Sequence, residues 1–218
     1  MRIGFIGTGN LGFKLAKSII KSNYELTVHD LNSNITNKFK KMGALIINSP
    51  KEIAQKNDII ITCLPSPQIC SEVMESEDGV INGISRNKIW LEMSTTDSSE
   101  IIRLGKLIKK KGAIPLEAPV SGGCHRADSG NISIFVGGER SGFDTIFPLL
   151  SVMGKYILHT GKLGTASILK VISNFLATTH LVALGEAFTI AKKSNLDLKK
   201  TFKAIEISSG NSFVHETE

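Results

Sequence analysis

The first two-thirds of the chain alternates short apolar runs with longer segments in which apolar residues recur every three or four positions. Ile3–Ile6 and Ile59–Ile61 are unbroken apolar runs, as expected of parallel strands buried on both faces. Leu11–Lys21 carries its apolar residues at helical spacing. Strands that alternate with helices in this way predict right-handed β-α-β units and an α/β fold with a doubly wound, mostly parallel sheet.

The same pattern places further elements along this part of the chain. The predicted strands are Ile3–Ile6, Glu25–His29, Ala44–Ile47, Asp58–Cys63, Lys88–Glu92, Ala113–Pro119 and Ile132–Val136. The predicted helices are Leu11–Lys21, Asn34–Met42, one that opens at Ser49-Pro50, and one that starts at Ser94-Thr95-Thr96-Asp97 and runs to about Lys111. Serine before proline is a typical helix start, because the serine caps the helix and proline suits its first turn.

The pattern changes near Gly161. From about Gly164 to Lys193 a single helical segment follows with apolar residues around most of its circumference, and a second helix is predicted at Asp197–Ile207. A helix that is apolar all round is expected to be buried among other helices or between domains. We therefore predict a first domain at residues 1–160 and a helical, apparently incomplete domain at residues 161–218.

Composition narrows the class of protein. The 218 residues are 41% hydrophobic and 21% charged, and the net charge of +6 comes from scattered lysines. Nucleic-acid grooves need clustered basic residues, often with aromatics between them, so no nucleic-acid partner is predicted. The three cysteines lack metal-ligand spacing, and the histidines show none either, so we expect reduced thiols and no metal. We also expect a cytoplasmic protein without a membrane span.

A glycine-rich turn follows the first predicted strand and opens the first predicted helix. Its sequence, Gly7-Thr8-Gly9-Asn10-Leu11-Gly12, fits the G-x-G-x-x-G pattern of dinucleotide-binding proteins. Gly7 allows the tight turn, Gly9 lets the backbone approach a pyrophosphate, and Gly12 permits close packing of helix and strand. The helix start then offers N–H groups to the phosphates. This context predicts a Rossmann-like domain that binds a dinucleotide.

An acidic residue ends the second predicted strand. Asp30 lies where a carboxylate would meet the ribose hydroxyls of NAD, and it would repel the additional phosphate of NADP. Leu31 and Asn32 follow it, where an arginine would favour NADP. The sequence therefore predicts NAD in preference to NADP.

Later segments, taken together, resemble the 3-hydroxyisobutyrate dehydrogenase (β-hydroxyacid dehydrogenase) family. They are Leu64-Pro65, Ser94-Thr95, Glu117-Ala118-Pro119-Val120-Ser121-Gly122-Gly123, and Lys170-Val171-Ile172-Ser173-Asn174. The resemblance runs in order along essentially the whole chain. It departs from the family pattern at Glu117, where aspartate is usual, and at Asp97, Arg126 and Ser173. Family members also usually continue for several more helices.

The resemblance implies roles for these residues. Lys170 would be the general acid/base of hydride transfer, and Asn174, four residues on, would bind the reacting substrate from the same helix face. Ser121, Gly122 and Gly123 would bind the substrate carboxylate. Leu64, Pro65 and Thr95 would contact the cofactor. The substrate would be a small 3-hydroxy acid or its semialdehyde, of the 3-hydroxyisobutyrate or tartronate semialdehyde type, and the protein a homo-oligomer, either a dimer or a tetramer.

Other functions remain open from the sequence. A 6-phosphogluconate-like oxidative decarboxylase shares the Ser-Gly-Gly loop and the lysine–asparagine spacing. It tends to carry a histidine before the lysine, where this chain has Thr165-Ala166-Ser167. An imine reductase shares the fold but typically loses the lysine. A non-catalytic dinucleotide-binding module is the third alternative, and the presence of both Lys170 and Asn174 speaks against it.

Overall fold

The computed structural model describes residues 1–217, and in that range nine strands form one sheet. The strands are β1 (Arg2–Ile6), β2 (Glu25–His29), β3 (Leu45–Ile46), β4 (Ile59–Thr62), β5 (Ile89–Glu92), β6 (Ile114–Glu117), β7 (Val120–Ser121), β8 (Ser133–Gly138) and β9 (Tyr156–Gly161). The helices are α1 (Asn10–Lys21), α2 (Ser33–Lys41), α3 (Pro50–Lys56), α4 (Pro67–Glu75), α5 (Ser98–Lys110), α6 (Gly123–Asp128), α7 (Arg140–Met153), α8 (Thr165–Lys193), α9 (Leu198–Glu206) and α10 (Phe213–Thr217).

The sheet has the strand order expected of a dinucleotide-binding domain. Six parallel strands run in the order β3-β2-β1-β4-β5-β6, and β8 then pairs antiparallel to β6. β7 and β9 both pair with β8. The chain order reverses between β1 and β4, and ligands of such sheets bind at the carboxyl ends of the strands at this point. The predicted Rossmann-like fold is confirmed.

Apolar side chains cover both faces of the sheet. Phe5, Ile61 and Leu91 lie on one face, against α1, α2 and α7. Ile60 and Trp90 lie on the other, against α3, α4 and α5. Because successive side chains of a strand point to opposite faces, strands buried on both sides must be apolar at every position. This explains the unbroken apolar runs in the sequence.

Capping residues fix several helix starts. The Ser49 hydroxyl accepts a hydrogen bond from the Glu52 N–H, with Pro50 in the first turn, as the sequence predicts. Ser66 and Pro67 repeat this arrangement at α4, a helix that is not among those predicted. The helix α7 and the strand β9 are likewise absent from the prediction. The strand β9 extends the sheet beside β8, and α7 packs its apolar side chains against one face of the sheet.

Contacts along the chain group its residues into two compact units. The first comprises Met1–Lys170, and the second begins at Val171. The helix α8 starts in the first unit and continues in the second as one element of 29 residues. The predicted domain boundary near residue 160 stays a prediction.

The expectation that α8 is buried is wrong for the described residues. Its apolar side chains from Ile168 to Val182 are largely exposed, with Phe175 at 67%. An all-round apolar helix needs cover from other elements, and the described part of this chain does not bring any over these side chains. By length and a mean hydropathy of 1.4 in its most apolar window, α8 also meets the requirement for a membrane span.

Candidate functional site

The glycine loop between β1 and α1 has the geometry that its sequence predicts. Gly7 has a φ of +89°, and a Cβ there would overlap the carbonyl oxygen of Cys63. A Cβ on Gly12 would overlap the carbonyl oxygen of Gly7. By contrast, a Cβ on Gly9 would meet no protein atom within 4 Å. Packing within the protein therefore explains two of the glycines, and Gly9 faces space that a ligand can fill.

A cavity of about 890 Å³ opens over the carboxyl ends of β1, β2, β4 and β5. It lies within the first unit and brings together most of the predicted site residues. Those that line it are Gly7, Gly9, Asn10, Leu11, Gly12, Asp30, Leu64, Pro65, Thr95, Gly123 and Lys170. Residues separated by more than 160 positions thus share one site, as expected at the point where the strand order reverses.

Three predicted residues lie close to this cavity without lining it. Thr8 is buried, and Ser121 and Gly122 precede the lining residue Gly123. Gly122 and Gly123 have φ angles of +121° and +77°, which only glycine adopts readily. Asn174 follows Lys170 by one turn of α8 and belongs to the second unit.

The carboxylate of Asp30 is held at the end of β2. It accepts hydrogen bonds from the Thr8 N–H at 2.6 Å, from the Thr8 hydroxyl at 3.0 Å, and from the Asn32 N–H at 2.8 Å. A carboxylate has about four acceptor positions, so it retains capacity for a ligand hydroxyl. Asp30 lines the cavity with a fixed orientation, as a ribose-binding carboxylate must.

Hydrogen bonds connect the loops that follow β4 and β5. The Leu64 N–H donates to the Ser94 hydroxyl oxygen at 2.7 Å, and the Ser94 N–H donates to the Glu92 carboxyl group at 2.6 Å. Both Leu64 and Ser94 line the cavity. The predicted cofactor contacts Leu64 and Thr95 therefore belong to loops that are fixed to each other.

Glu92 is buried at the end of β5 among polar groups that donate to it. The Thr62 hydroxyl donates to it at 2.6 Å and the Cys70 thiol at 2.9 Å. Burial raises the pKa of the Glu92 carboxyl group above its usual range. Burial and the nearby Glu92 also raise the pKa of the Cys70 thiol, and that of Cys63 to about 12. These two cysteines are therefore thiols at neutral pH.

Lys170 is half-buried in the first turns of α8 and lines the cavity. Burial lowers the pKa of its ammonium group, because removal from water disfavours the charged form. A lysine with a lowered pKa is neutral at a lower pH than a surface lysine, and a neutral amine can accept a proton. The arrangement therefore suits a proton acceptor in a site that also has the geometry for a dinucleotide.

Two buried glutamates at the ends of β5 and β6 have a part in the site that sequence reasoning missed. Glu117 was noted only for replacing aspartate, and Glu92 only as the end of a strand. A signal was present in both cases, because a charged residue follows an apolar strand in Trp90-Leu91-Glu92 and in Pro115-Leu116-Glu117. Glu72 and Asp78, which line the cavity from α4 and the loop after it, were also missed. The apolar pattern does not predict α4, so it gives no reason to place these two residues near the glycine loop.

The glycine loop, the acidic end of β2 and the strand order together define a dinucleotide-binding protein. The space above Gly9 and the remaining acceptor capacity of Asp30 fit the pyrophosphate and a ribose of such a cofactor. Comparison with known families agrees. Residues 2–161 match the NAD-binding domain of 6-phosphogluconate dehydrogenase, and residues 164–218 match the NAD-binding segment of NADP-dependent 3-hydroxyisobutyrate dehydrogenase. The chain belongs to the 3-hydroxyisobutyrate dehydrogenase family.

Individual relatives show the extent of this similarity. The mitochondrial 3-hydroxyisobutyrate dehydrogenase of Mus musculus is 35% identical over 99% of this chain, and the chain spans 64% of its length. The 2-(hydroxymethyl)glutarate dehydrogenase of Eubacterium barkeri is 31% identical over the whole chain, which spans 72% of it. The structure of Mycobacterium tuberculosis 3-hydroxyisobutyrate dehydrogenase with L-serine matches with a TM-score of 0.90 and 25% identity. That match covers 100% of this chain and 74% of the other.

Proposed function

We propose that this chain carries the hydride-transfer site of an NAD-dependent oxidoreductase that acts on a small 3-hydroxy acid or its semialdehyde. The observation that carries the proposal is the half-buried Lys170, which lines the same cavity as the glycine loop. A dinucleotide-binding module without catalysis would have no need for a lysine with a lowered pKa at this place.

Oxidation of a hydroxyl group requires a base, and Lys170 is suited to this step. When bound, the nicotinamide exchanges a hydride with the carbon that bears the hydroxyl group. The neutral amine of Lys170 accepts the hydroxyl proton during oxidation, and the ammonium returns it during reduction. Asn174, one turn further along the helix, is proposed to bind the same oxygen.

The substrate is expected to carry a carboxylate next to the carbon that bears the CH₂OH group. The names of the mouse and Eubacterium barkeri relatives denote substrates that share this unit, one with a methyl branch and one with a second carboxylate. Ser121, Gly122 and Gly123 are proposed to bind the shared carboxylate through the hydroxyl group and backbone N–H groups. The shape of the rest of the substrate then determines which of these acids is preferred.

The charges around the cavity favour NAD over NADP. Asp30, Glu72 and Asp78 all line it, and in the described residues Lys170 is the one lysine or arginine that does. The 2′-phosphate of NADP next to Asp30 would place like charges together, and the one described lysine that lines the cavity, Lys170, is assigned to the proposed hydride transfer.

A steady-state assay tests the reaction and the cofactor together. NAD reduction is measured with 3-hydroxyisobutyrate, 2-(hydroxymethyl)glutarate, glycerate and 6-phosphogluconate, with NADP in parallel. We expect turnover with at least one 3-hydroxy acid, and a kcat/KM for NAD more than about tenfold above that for NADP, equivalent to about 1.4 kcal/mol. Carbon dioxide release from 6-phosphogluconate would instead identify an oxidative decarboxylase. Binding of NADH without turnover of any acid would leave a binding module.

We also propose that the exposed apolar side chains of α8 are covered by protein in a homo-oligomer, a dimer or tetramer. Polar residues such as Thr178, Thr179 and His180 interrupt the apolar surface, and the family match includes this helix. Apolar patches of this kind in soluble proteins are typical interaction sites. Light scattering after gel filtration in detergent-free buffer is expected to give a mass at least twice 23.6 kDa. A monomer, or a chain that stays in solution only with detergent, would contradict this.

A further inference from the structure

Two buried carboxyl groups end neighbouring strands of the sheet. Glu92 on β5 and Glu117 on β6 are partners in the parallel register, and their exposed fractions are 1% and 0%. Glu92 binds the loop that follows its own strand. Glu117 instead binds the start of α8, which lies 47 to 50 positions further along the chain.

The contacts of Glu117 all lie in the first turn of α8 and just before it. One carboxylate oxygen accepts hydrogen bonds from the N–H groups of Gly164 at 2.5 Å and Ala166 at 3.0 Å. The other accepts from the Ser167 N–H at 2.9 Å and from the Ser167 hydroxyl. The first N–H groups of a helix have no partner within the helix, and a negative charge there complements the helix dipole. Glu117 thus satisfies donors that α8 leaves unpaired at its start.

A glycine on the adjacent strand leaves room for this carboxylate. Gly137 on β8 is the antiparallel partner of Glu117. A Cβ on Gly137 would overlap a carboxylate oxygen of Glu117. The φ angle of Gly137 is not in the positive range, so the backbone does not require glycine at this position. The space beside Glu117 gives a reason for the glycine.

Lys170 follows Ser167 by three residues on the same helix, so a displacement of the first turn also displaces its amine. We propose that Glu117 is the positioning residue of the acid–base group: it anchors the first turn of α8 to the end of β6 and so holds Lys170 in the cavity. This inference rests on the proposed role of Lys170. Glu117 itself does not line the cavity, and it acts through the helix.

Glu117→Gln is the first test. Glutamine has nearly the same shape, but its NH₂ group must face the helix N–H groups from which the carboxylate now accepts. The first turn of α8 is then expected to leave the sheet and expose Lys170 to water. We expect kcat to fall on the order of 10²-fold, as for small misplacements of catalytic groups, while the Kd of NADH changes less than about twofold. An unchanged kcat in the folded variant would overturn the proposal.

The titration of Lys170 gives a second measurement that does not depend on activity. Lysines are dimethylated with ¹³C-formaldehyde and followed by NMR against pH, and Lys170→Arg identifies the signal of Lys170. In Glu117→Gln the pKa of Lys170 is expected to rise towards those of the other lysines. Glu139→Gln is the matched control, because Glu139 precedes α7, is exposed and makes no side-chain capping bond. A Lys170 titration that is the same in the wild type and both glutamate variants would also overturn the proposal.

A pair of substitutions keeps the test decisive if Glu117→Gln does not fold. Gly137→Ala is expected to displace the Glu117 carboxylate and raise the pKa of Lys170 in the same way. Adding Glu117→Asp shortens the acid by one methylene and is expected to restore part of the wild-type titration. If the two substitutions change the pKa of Lys170 additively, with no restoration in the double variant, the added methyl group and the carboxylate do not compete for the same space. If no hydroxy acid is turned over but the titrations behave as expected, the proposed function fails and the positioning role of Glu117 stands.

Discussion

Lys170→Met is expected to reduce kcat about 10²- to 10⁴-fold while leaving the Kd of NADH nearly unchanged. The range is that of a lost general acid–base group. Cofactor binding should persist because Gly7, Gly9 and Asp30 are supplied by β1, α1 and β2 and the loops between them, far along the chain from α8. Single-turnover kinetics and NADH fluorescence measure the two effects separately. Lys162→Met is the control, because Lys162 is exposed just before α8 and does not line the cavity.

The pH profile of the wild type and Lys170→Met gives a further check. Burial lowers the pKa of Lys170, and the base in oxidation is its neutral amine. In the wild type, kcat for oxidation should therefore rise with pH and level off above the pKa of Lys170, below the usual lysine range. In the reduction direction the ammonium is the active form, so the dependence should reverse. If the pH dependence of kcat disappears in both directions in Lys170→Met, the assignment is supported. If the pH dependence is the same as in the wild type, the assignment is contradicted.

Gly9→Ala and Gly12→Ala are both expected to weaken NADH binding, but for different reasons. The Cβ that Gly12→Ala adds would overlap the backbone of Gly7, so this variant should lose stability as well as cofactor binding. The Cβ that Gly9→Ala adds meets no protein atom within 4 Å, so the Tm should hardly change. It would nevertheless stand where the pyrophosphate approaches, and the Kd of NADH should rise more than about tenfold.

Thermal unfolding and NADH titration of both variants distinguish these outcomes. Gly43→Ala is not a suitable control, because Gly43 has a φ of +97°. Ala16→Gly removes a methyl group from a buried position of α1 outside the loop, so it should lower the Tm without changing the Kd of NADH, and it is the control for a loss of stability alone. If Gly9→Ala binds NADH as tightly as the wild type, the open space above Gly9 is not a pyrophosphate site.

Local patterns along the chain were sufficient to predict the part of the site nearest the N-terminus. The glycine loop, the strand before it and Asp30 lie within about thirty residues, and each follows from backbone geometry. The fold class followed from strand–helix alternation. Lys170 was predicted from family resemblance, and the structure adds that it lines the cavity and is half-buried.

Other features depend on contacts that the sequence pattern does not reveal. The helix α7 contains Pro148, which lacks the N–H that a helix interior uses, so the pattern did not predict it. The helix α4 shows the Ser66-Pro67 start, but its short apolar face is less clear than that of α1. The roles of Glu92 and Glu117 could not be predicted, because they depend on hydrogen bonds to residues that only the folded chain brings near. The pattern of α8 predicts that side chains such as Leu181 and Val182 need cover, but it is the same whichever element provides that cover.

The two buried glutamates also bear on how the strands find their pairing. Glu92 and Glu117 lie on the face of the sheet that packs against α3, α4 and α5, where each finds several hydrogen-bond donors. A slip of β6 by one residue would turn Glu117 to the opposite face, away from its hydrogen-bond donors, and would bring Leu116 to the place beside them. A carboxyl group buried there without donors costs several kcal/mol, a large part of the stability of a typical domain. The residues that end β5 and β6 therefore penalise misaligned sheets during folding, in addition to shaping the loops that follow them.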